Sequence, residues 1–188
     1  MSEENKPISA NDIFSGKVPK SMRRLAEAFL KMRKTQSLED ITVVRLCELA
    51  DVNKSTFYHY YHDVYDLSDQ LQSEVIHRIV ENFEHVEAIL TDPGTFVKDV
   101  LRDCRPDSEL IAILFAGNQI DKLPRKVEEG LKKLIAQVIP DRKDDMSVNL
   151  HLTYQLYGAY YAFMSYPEYD KDDKIEYIAK LTDRVQLH

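Results

Sequence analysis

From Val64 to Leu90 the apolar residues advance by steps of three and four: Val64, Leu67, Leu71, Val75, Ile79, Phe83, Val86 and Leu90. That spacing keeps one face of a helix apolar and predicts a single amphipathic helix of about seven turns, roughly 40 Å long. The same period recurs on both sides of it. From about Pro19, Leu25, Phe29 and Met32 share a face with Ala26 and Ala28 beside them, and after Thr42 a short stretch places Leu46, Cys47 and Ala50 together. Further helices are predicted near 95–104, 107–119, 124–138, 145–165 and 172–186, separated by Thr91-Asp92-Pro93-Gly94, Arg105-Pro106-Asp107, Ile139-Pro140-Asp141 and Pro167-Glu168. Only 5 Gly and 7 Pro, with few alternating runs, exclude a turn-rich β fold. The expected fold is all-α, with about nine helices.

The 44 % hydrophobic content is enough for a core. No apolar run approaches the length of a membrane span, and the opening MSEENKPISANDIF is polar and acidic, without the apolar region of a signal peptide. A cytoplasmic chain with no membrane partner is the expectation. Cys47 and Cys104 each lie in an apolar helical stretch and read as small buried hydrophobes in a reducing compartment, not as a disulfide or metal pair.

One short stretch fits neither a plain core nor a plain surface. Residues 51–61 read DVNKSTFYHYY, five consecutive ring side chains directly after Asn53, Lys54, Ser55 and Thr56. Placed on a helix at 100° per residue, Phe57 and Tyr61 share one face and can pack against Phe29, Leu46 and Val52. Lys54, Ser55, Tyr58 and His59 point outward, and Thr56 and Tyr60 form an intermediate row. The outer surface offers an ammonium, hydroxyls, phenols and an imidazole, donors suited to phosphate oxygens and base edges. A third short polar helix after a tight turn describes a helix-turn-helix, whose outward face enters the major groove of DNA. The competing reading is a Tyr-rich protein interface.

Charge distribution favours the first reading. The net charge is −7, yet residues 17–62 carry nine cations (Lys17, Lys20, Arg23, Arg24, Lys31, Arg33, Lys34, Arg45, Lys54) against five anions. That segment is +4, residues 1–16 are −2, and 63–188 are left with −9. A basic N-terminal third on an acidic body places an anionic partner at the first part.

The segment from Ser21 to Leu71 resembles the DNA-binding domain of the TetR/AcrR family of transcriptional regulators. The resemblance rests on ITVVRLCELADVNKSTFYHYYHDVYDL. It is similar to the family's Thr-Val, two apolar residues in the second helix, Ala-Gly-Val, a Ser-x-x-x-Tyr helix and a Phe-x-x-Lys-x-x-Leu entry to the fourth helix. Residues 1–16 read as a flexible tail, and the resemblance implies a helix-turn-helix domain over 17–65 and a helical effector-binding and dimerisation domain over 66–188. It also implies that Thr42 caps the second helix and donates to a phosphate. Lys54, Ser55 and Thr56 would then reach bases and phosphates, and Tyr58 would touch backbone or a thymine methyl with His59 and Tyr60 beside it. Phe57 and Tyr61 would be structural. The chain departs from the pattern at three places. Asp51 replaces the turn glycine. Val64 stands where a lysine is usual, with His62 the available substitute. Val44 stands where many members read a base with a polar side chain.

In the acidic part, Leu150–Tyr166 carries two apolar rows, Leu152, Leu156, Ala159/Tyr160, Phe163 and Leu150, Tyr154, Tyr157, Tyr161, Met164. A helix apolar on both sides must be covered on both, one side by the chain's own core and the other by a second subunit; the alternative is a central helix of a monomer. Candidate homodimer residues are Tyr154, Tyr157, Gly158, Tyr161 and Met164, with Ile175, Ile178 and Leu181 of the last helix. The helix near 107–119 is apolar nearly all round and is expected to run through the centre. Phe83, His85, Phe96, Leu114, Phe115 and Asn118 are candidates to line a pocket, each of which also reads as plain core. No paired carboxylates, Ser-His-Asp set, phosphate loop or metal-spaced cluster stands out, so an enzyme, a metal and a cofactor are not expected. The resemblance implies a repressor that binds an inverted-repeat operator as a homodimer, with a small apolar or amphipathic ligand as the releasing effector. A protein-interaction module of the same fold, answering to a partner protein with little or no DNA binding, is the alternative.

Overall fold

The structure, a computed structural model, describes residues 9–14, 16–83, 87–103 and 107–185. Those residues contain ten α-helices and no strand: α1 (Lys20–Arg33), α2 (Val43–Ala50), α3 (Lys54–Tyr60), α4 (Val64–Glu81), α5 (Ala88–Thr91), α6 (Pro93–Asp103), α7 (Ser108–Leu114), α8 (Lys122–Val138), α9 (Met146–Ser165) and α10 (Lys171–Asp183). None of the described helices is long and apolar enough to cross a membrane. The chain divides into two compact units, residues 1–78 with 107–120, and residues 79–106 with 121–188.

In the first unit, residues 9–14 are not a loose tail. Ser9 caps a single 3-10 turn, Ala10–Asp12, and the Asp12 carboxylate accepts from the Ser9 N–H at 2.7 Å, a reciprocal capping box. Ala10 and Ile13 are fully buried, and Arg23 on α1 donates to Asn11 at 2.5 Å. Leu25 and Phe29 on α1, Leu46 on α2, Phe57 on α3 and Leu67 and Leu71 on α4 are also fully buried, in the register their spacing predicts.

The single seven-turn helix is not observed. Val64, Leu67, Leu71, Val75, Ile79 and Phe83 are all buried, but α4 stops at Glu81, about 27 Å from its start. Its end tightens to bonds of the shorter period, Asn82 N–H to Ile79 O at 3.2 Å and Phe83 N–H to Val80 O at 3.1 Å. Asn82 stands at that point, a residue whose side chain competes with helical hydrogen bonding. Val86 lies outside the described residues, and Leu90 belongs to the separate α5.

The stretch expected as one helix over 107–119 is α7 followed by a 3-10 turn at Gly117–Gln119, with Gly117 in the left-handed region at φ 65°. Within the first unit it is held by side chains of earlier elements. Gln72 donates to Leu114 O at 2.9 Å, Arg33 to Ala116 O at 3.0 Å, and Asn118 donates to Glu39 at 2.6 Å. Arg78 pairs with Asp107, and Lys34 with Glu109 at 3.4 Å.

The second unit has a small core of Val97, Ala159 and Ile178, from α6, α9 and α10, flanked by Leu101, Ala162 and Phe163. Lys98 and Arg102 on α6 both reach Glu176 on α10. Gln155 on α9 donates to the carbonyls of Thr182 and Val185 at 3.2 and 3.1 Å, fastening the end of α10. His151, one turn earlier, is buried beside Gln155, and burial pulls its pKa below the ordinary imidazole value.

Candidate nucleic-acid interface

The turn between α2 and α3 is built by its ends. Thr42 has extended backbone angles and its Oγ1 accepts from the Arg45 N–H, an N-cap as expected. At the other end Asp51 takes the left-handed conformation, φ 49° and ψ 54°. Its N–H bonds to Glu48 O at 3.2 Å while the Val52 N–H bonds to Cys47 O at 3.0 Å, the paired closure of a Schellman motif. Glycine usually occupies this position because a Cβ costs free energy there; aspartate tolerates it better than most residues. Arg24 on α1 holds Asp51 from outside with a 2.5 Å ion pair. Cys47 is buried, and burial raises its thiol pKa; Cys104 lies outside the described residues.

On α3 the expected faces are found. Phe57 and Tyr61 are 0 % and 2 % exposed and their rings meet at 5.6 Å. Burial, reinforced by Asp66, Glu74 and Tyr60, pushes the Tyr61 pKa up to about 12. Lys54, Ser55, Tyr58 and His59 are exposed, and Thr56 and Tyr60 are half-buried. Tyr58 stands edge-on to Phe57 at 5.4 Å. Tyr60 accepts from Ser21 Oγ on α1 at 3.4 Å and carries His59 edge-on at 4.9 Å, so it is partly committed to the unit's own structure. Thr42 and Val44 are exposed at the start of α2.

Two features bear on the departures from the family pattern. Val64 is 4 % exposed at the first position of α4, so no side chain reaches a phosphate from there. His62 is exposed, and its N–H is taken by the Asp66 carboxylate at 2.8 Å, while Asp63 accepts from the Asp66 N–H at 2.8 Å. Together these cap α4, and the bond from the His62 N–H, joined by one from the Gln70 side chain at 3.0 Å, holds the Asp66 pKa below the usual carboxylate value.

The nine cations of residues 17–62 are not equivalent. Arg33 is 5 % exposed and donates to the carbonyls of Gln36 and Ala116; desolvation lowers its pKa against the pull of Glu39. It faces inward and offers nothing to a phosphate. Arg45, weighed in the sequence only as one charge among nine, is exposed beside Val44 in the first turn of α2. Its position in the first turn after Thr42 is the signal that could have found it.

The remaining candidates separate. Phe83 and Phe96 are buried in the second unit with rings 6.4 Å apart, edge to face. Leu114 and Phe115 are fully buried in the first unit, where Asn118 is exposed and bound to Glu39. His85 lies outside the described residues. On α9 the row Leu150, Tyr154, Tyr161 and Met164 is exposed, Tyr154 by 66 %, and Tyr157 and Gly158 lie along it. Leu181 on α10 is exposed too. Ile175 and Ile178 are not available to a second subunit. They are buried within their own unit, Ile178 against Val97 and Ala159, and a side chain already buried cannot be buried again. Among the described residues no group of three or more His, Cys, Asp or Glu is arranged to hold a metal.

No family model and no curated protein matches the chain. Among solved structures, it is similar to the fatty acid degradation regulator FadR from Bacillus halodurans, with a TM-score of 0.49 and 17 % sequence identity over 89 % of this chain and 96 % of that one.

Proposed function

We propose that the chain is a DNA-binding transcriptional regulator, a repressor that binds an inverted-repeat operator as a homodimer. The supporting observation is the split of α3 into a buried Phe57/Tyr61 side and an exposed Lys54, Ser55, Tyr58, His59 side, behind a turn fixed by Thr42 and Asp51. Thr42, Val44, Thr56 and Tyr60 complete the contact surface. Two such helices in a symmetric dimer would read half-sites about 34–36 Å apart, a spacing of one helical turn. The exposed Leu150–Met164 row of α9 is the proposed meeting face. A small apolar or amphipathic ligand near the Phe83/Phe96 ring pair would release the operator only by preferring one dimer arrangement over another.

The test is fluorescence anisotropy with duplexes enriched from a random pool, repeated across a salt series. If each subunit neutralises three or four phosphates, log K falls with log salt at a slope of about −6. Absence of duplex binding at low ionic strength would remove this reading. The second reading, a protein-interaction module, draws on the buried Val64 and on exposed apolar Val44 and Leu49. It predicts a slope near zero and no enriched sequence.

A further inference from the structure

Within the second unit, the buried Gln155 of α9 places its side-chain nitrogen near three groups. These are the carbonyls of Thr182 and Val185, at 3.2 and 3.1 Å, and His151 Nε2 at 3.4 Å. A carbonyl oxygen only accepts, so the atom facing Thr182 and Val185 must be the amide nitrogen. His151 Nε2 then faces a donor, and must be the bare nitrogen of a neutral ring with its proton on Nδ1. Protonating Nε2 would set one N–H against another. Turning the amide over gives no escape, because its oxygen would then face two carbonyl oxygens. No orientation of Gln155 satisfies an imidazolium and both carbonyls at once.

The charged groups of the elements packed on α9, namely α10, α8 and α6, are engaged elsewhere. Glu176 on α10 takes Lys98 and Arg102 of α6, Asp183 accepts from the Gly94 N–H, and Lys174 donates to the Phe163 and Tyr166 carbonyls. On α8, Glu128 accepts from Thr153 and Lys132, and Lys126 is buried; Arg184, after α10, is exposed. Among the described residues none of these acts on the imidazole, whose pKa is lowered by burial alone. Thr182 and Val185 stand on either side of Asp183, so the two Gln155 bonds hold the turn from which α6 is capped. We propose that His151 and Gln155 form a proton-operated latch: protonation of the ring drives Gln155 off the Thr182 and Val185 carbonyls and frees the end of α10, and with it the Asp183 cap on α6. The latch lies within the second unit and stands whether or not the first unit binds DNA.

The experiment is amide hydrogen exchange of the full chain, followed by NMR between pH 7.5 and 5.5 and corrected for the intrinsic rate. The native ring binds its proton less tightly than an unperturbed imidazole, so the latch is closed above a pH of about 6.5 and opens as pH falls below it. Protection of the Gly94 and Val185 amides should therefore drop about tenfold across the series, while Leu131 and Ile135 on α8 keep theirs. In His151→Met the drop should vanish. In Gln155→Met the two amides should be weakly protected at both ends of the series and indifferent to pH, which answers the question even if the first variant does not fold. Constant protection of Gly94 and Val185 in the unsubstituted chain would overturn the proposal. So would an equal loss along α8, which marks global unfolding, or a pH response that persists in either variant.

Discussion

The Asp183 carboxylate, at the last residue of α10, accepts a 2.8 Å hydrogen bond from the Gly94 N–H in the first turn of α6. It serves as an N-cap supplied from 89 positions away in the chain. A Cβ at position 94 would lie 2.1 Å from Asp183 Oδ1, so the two residues share one space. Asp183→Ala should cost about 1 kcal/mol, the usual worth of a cap. Gly94→Ala should also destabilise, because the carboxylate must swing away and lose its bond. The double variant should be no less stable than Asp183→Ala alone, since the clash is gone and alanine is the better helix former. Additive losses in denaturant titrations would refute the coupling.

Tyr61 predicts an alkaline weakness. Its folded pKa is about 12, against about 10 for an unperturbed phenol. The native state therefore holds this proton more tightly than the unfolded chain. The associated stability is complete below pH 10 and is lost as pH rises from 10 through 12. Its hydroxyl is buried without a hydrogen-bond partner among the described residues. Tyr61→Phe should thus be neutral or slightly stabilising at pH 7 and should flatten the decline between pH 10 and 12. Melting curves across that window decide it; an unchanged decline would assign the weakness to other groups.

Arg33 and Lys54 should separate stability from binding. Arg33→Met removes two charge-assisted bonds to the Gln36 and Ala116 carbonyls and should cost about 2 kcal/mol. It should leave the salt slope of DNA binding untouched, because the guanidinium does not reach the surface. Lys54→Ala should do the reverse, changing stability by less than about 0.5 kcal/mol while lowering the slope by about one per subunit. If Arg33→Met flattens the slope and Lys54→Ala does not, the division of the cations is wrong.

The exposed row on α9 predicts assembly. Leu150→Asp with Tyr161→Asp should shift a dimer to monomer in sedimentation experiments with little loss of subunit stability, since both side chains are exposed. Gly158→Ala probes the same face differently. A Cβ there meets nothing within 4 Å in the single chain, so alanine should strengthen the α9 interior by up to about 1 kcal/mol. A second subunit packed closely on Gly158 would turn that gain into weaker dimerisation.

The parts legible in the sequence were those set by local chemistry. Thr42 marks a cap, and the Phe57/Tyr61 spacing marks a buried stripe; both depend on residues within two turns of one another. Elsewhere the deciding contacts are remote. Nothing near Arg33 in the chain announces the Ala116 carbonyl that draws it inward, and Ser9 to Phe14 looks polar until α1 is present to cover Ala10 and Ile13. Periodicity shows that α9 and α10 have apolar faces but not what covers them, which is why Ile175 and Ile178 read as equally available as Leu181. The break after Glu81 was hidden because the apolar period runs on through it. Buried residues such as Phe115 look alike in a sequence whether they fill a core or line a pocket.

Asp51 leaves Arg24 with a prior engagement. A glycine at that corner would adopt the same left-handed turn unaided, and Arg24 would then be released towards solvent while one negative charge disappeared. Under the proposed function, the chain's hold on an anionic polymer would in this sense be adjustable from a residue that need never touch it. Replacing Asp51 by glycine should tighten attachment to any duplex, specific or not, and steepen its response to salt.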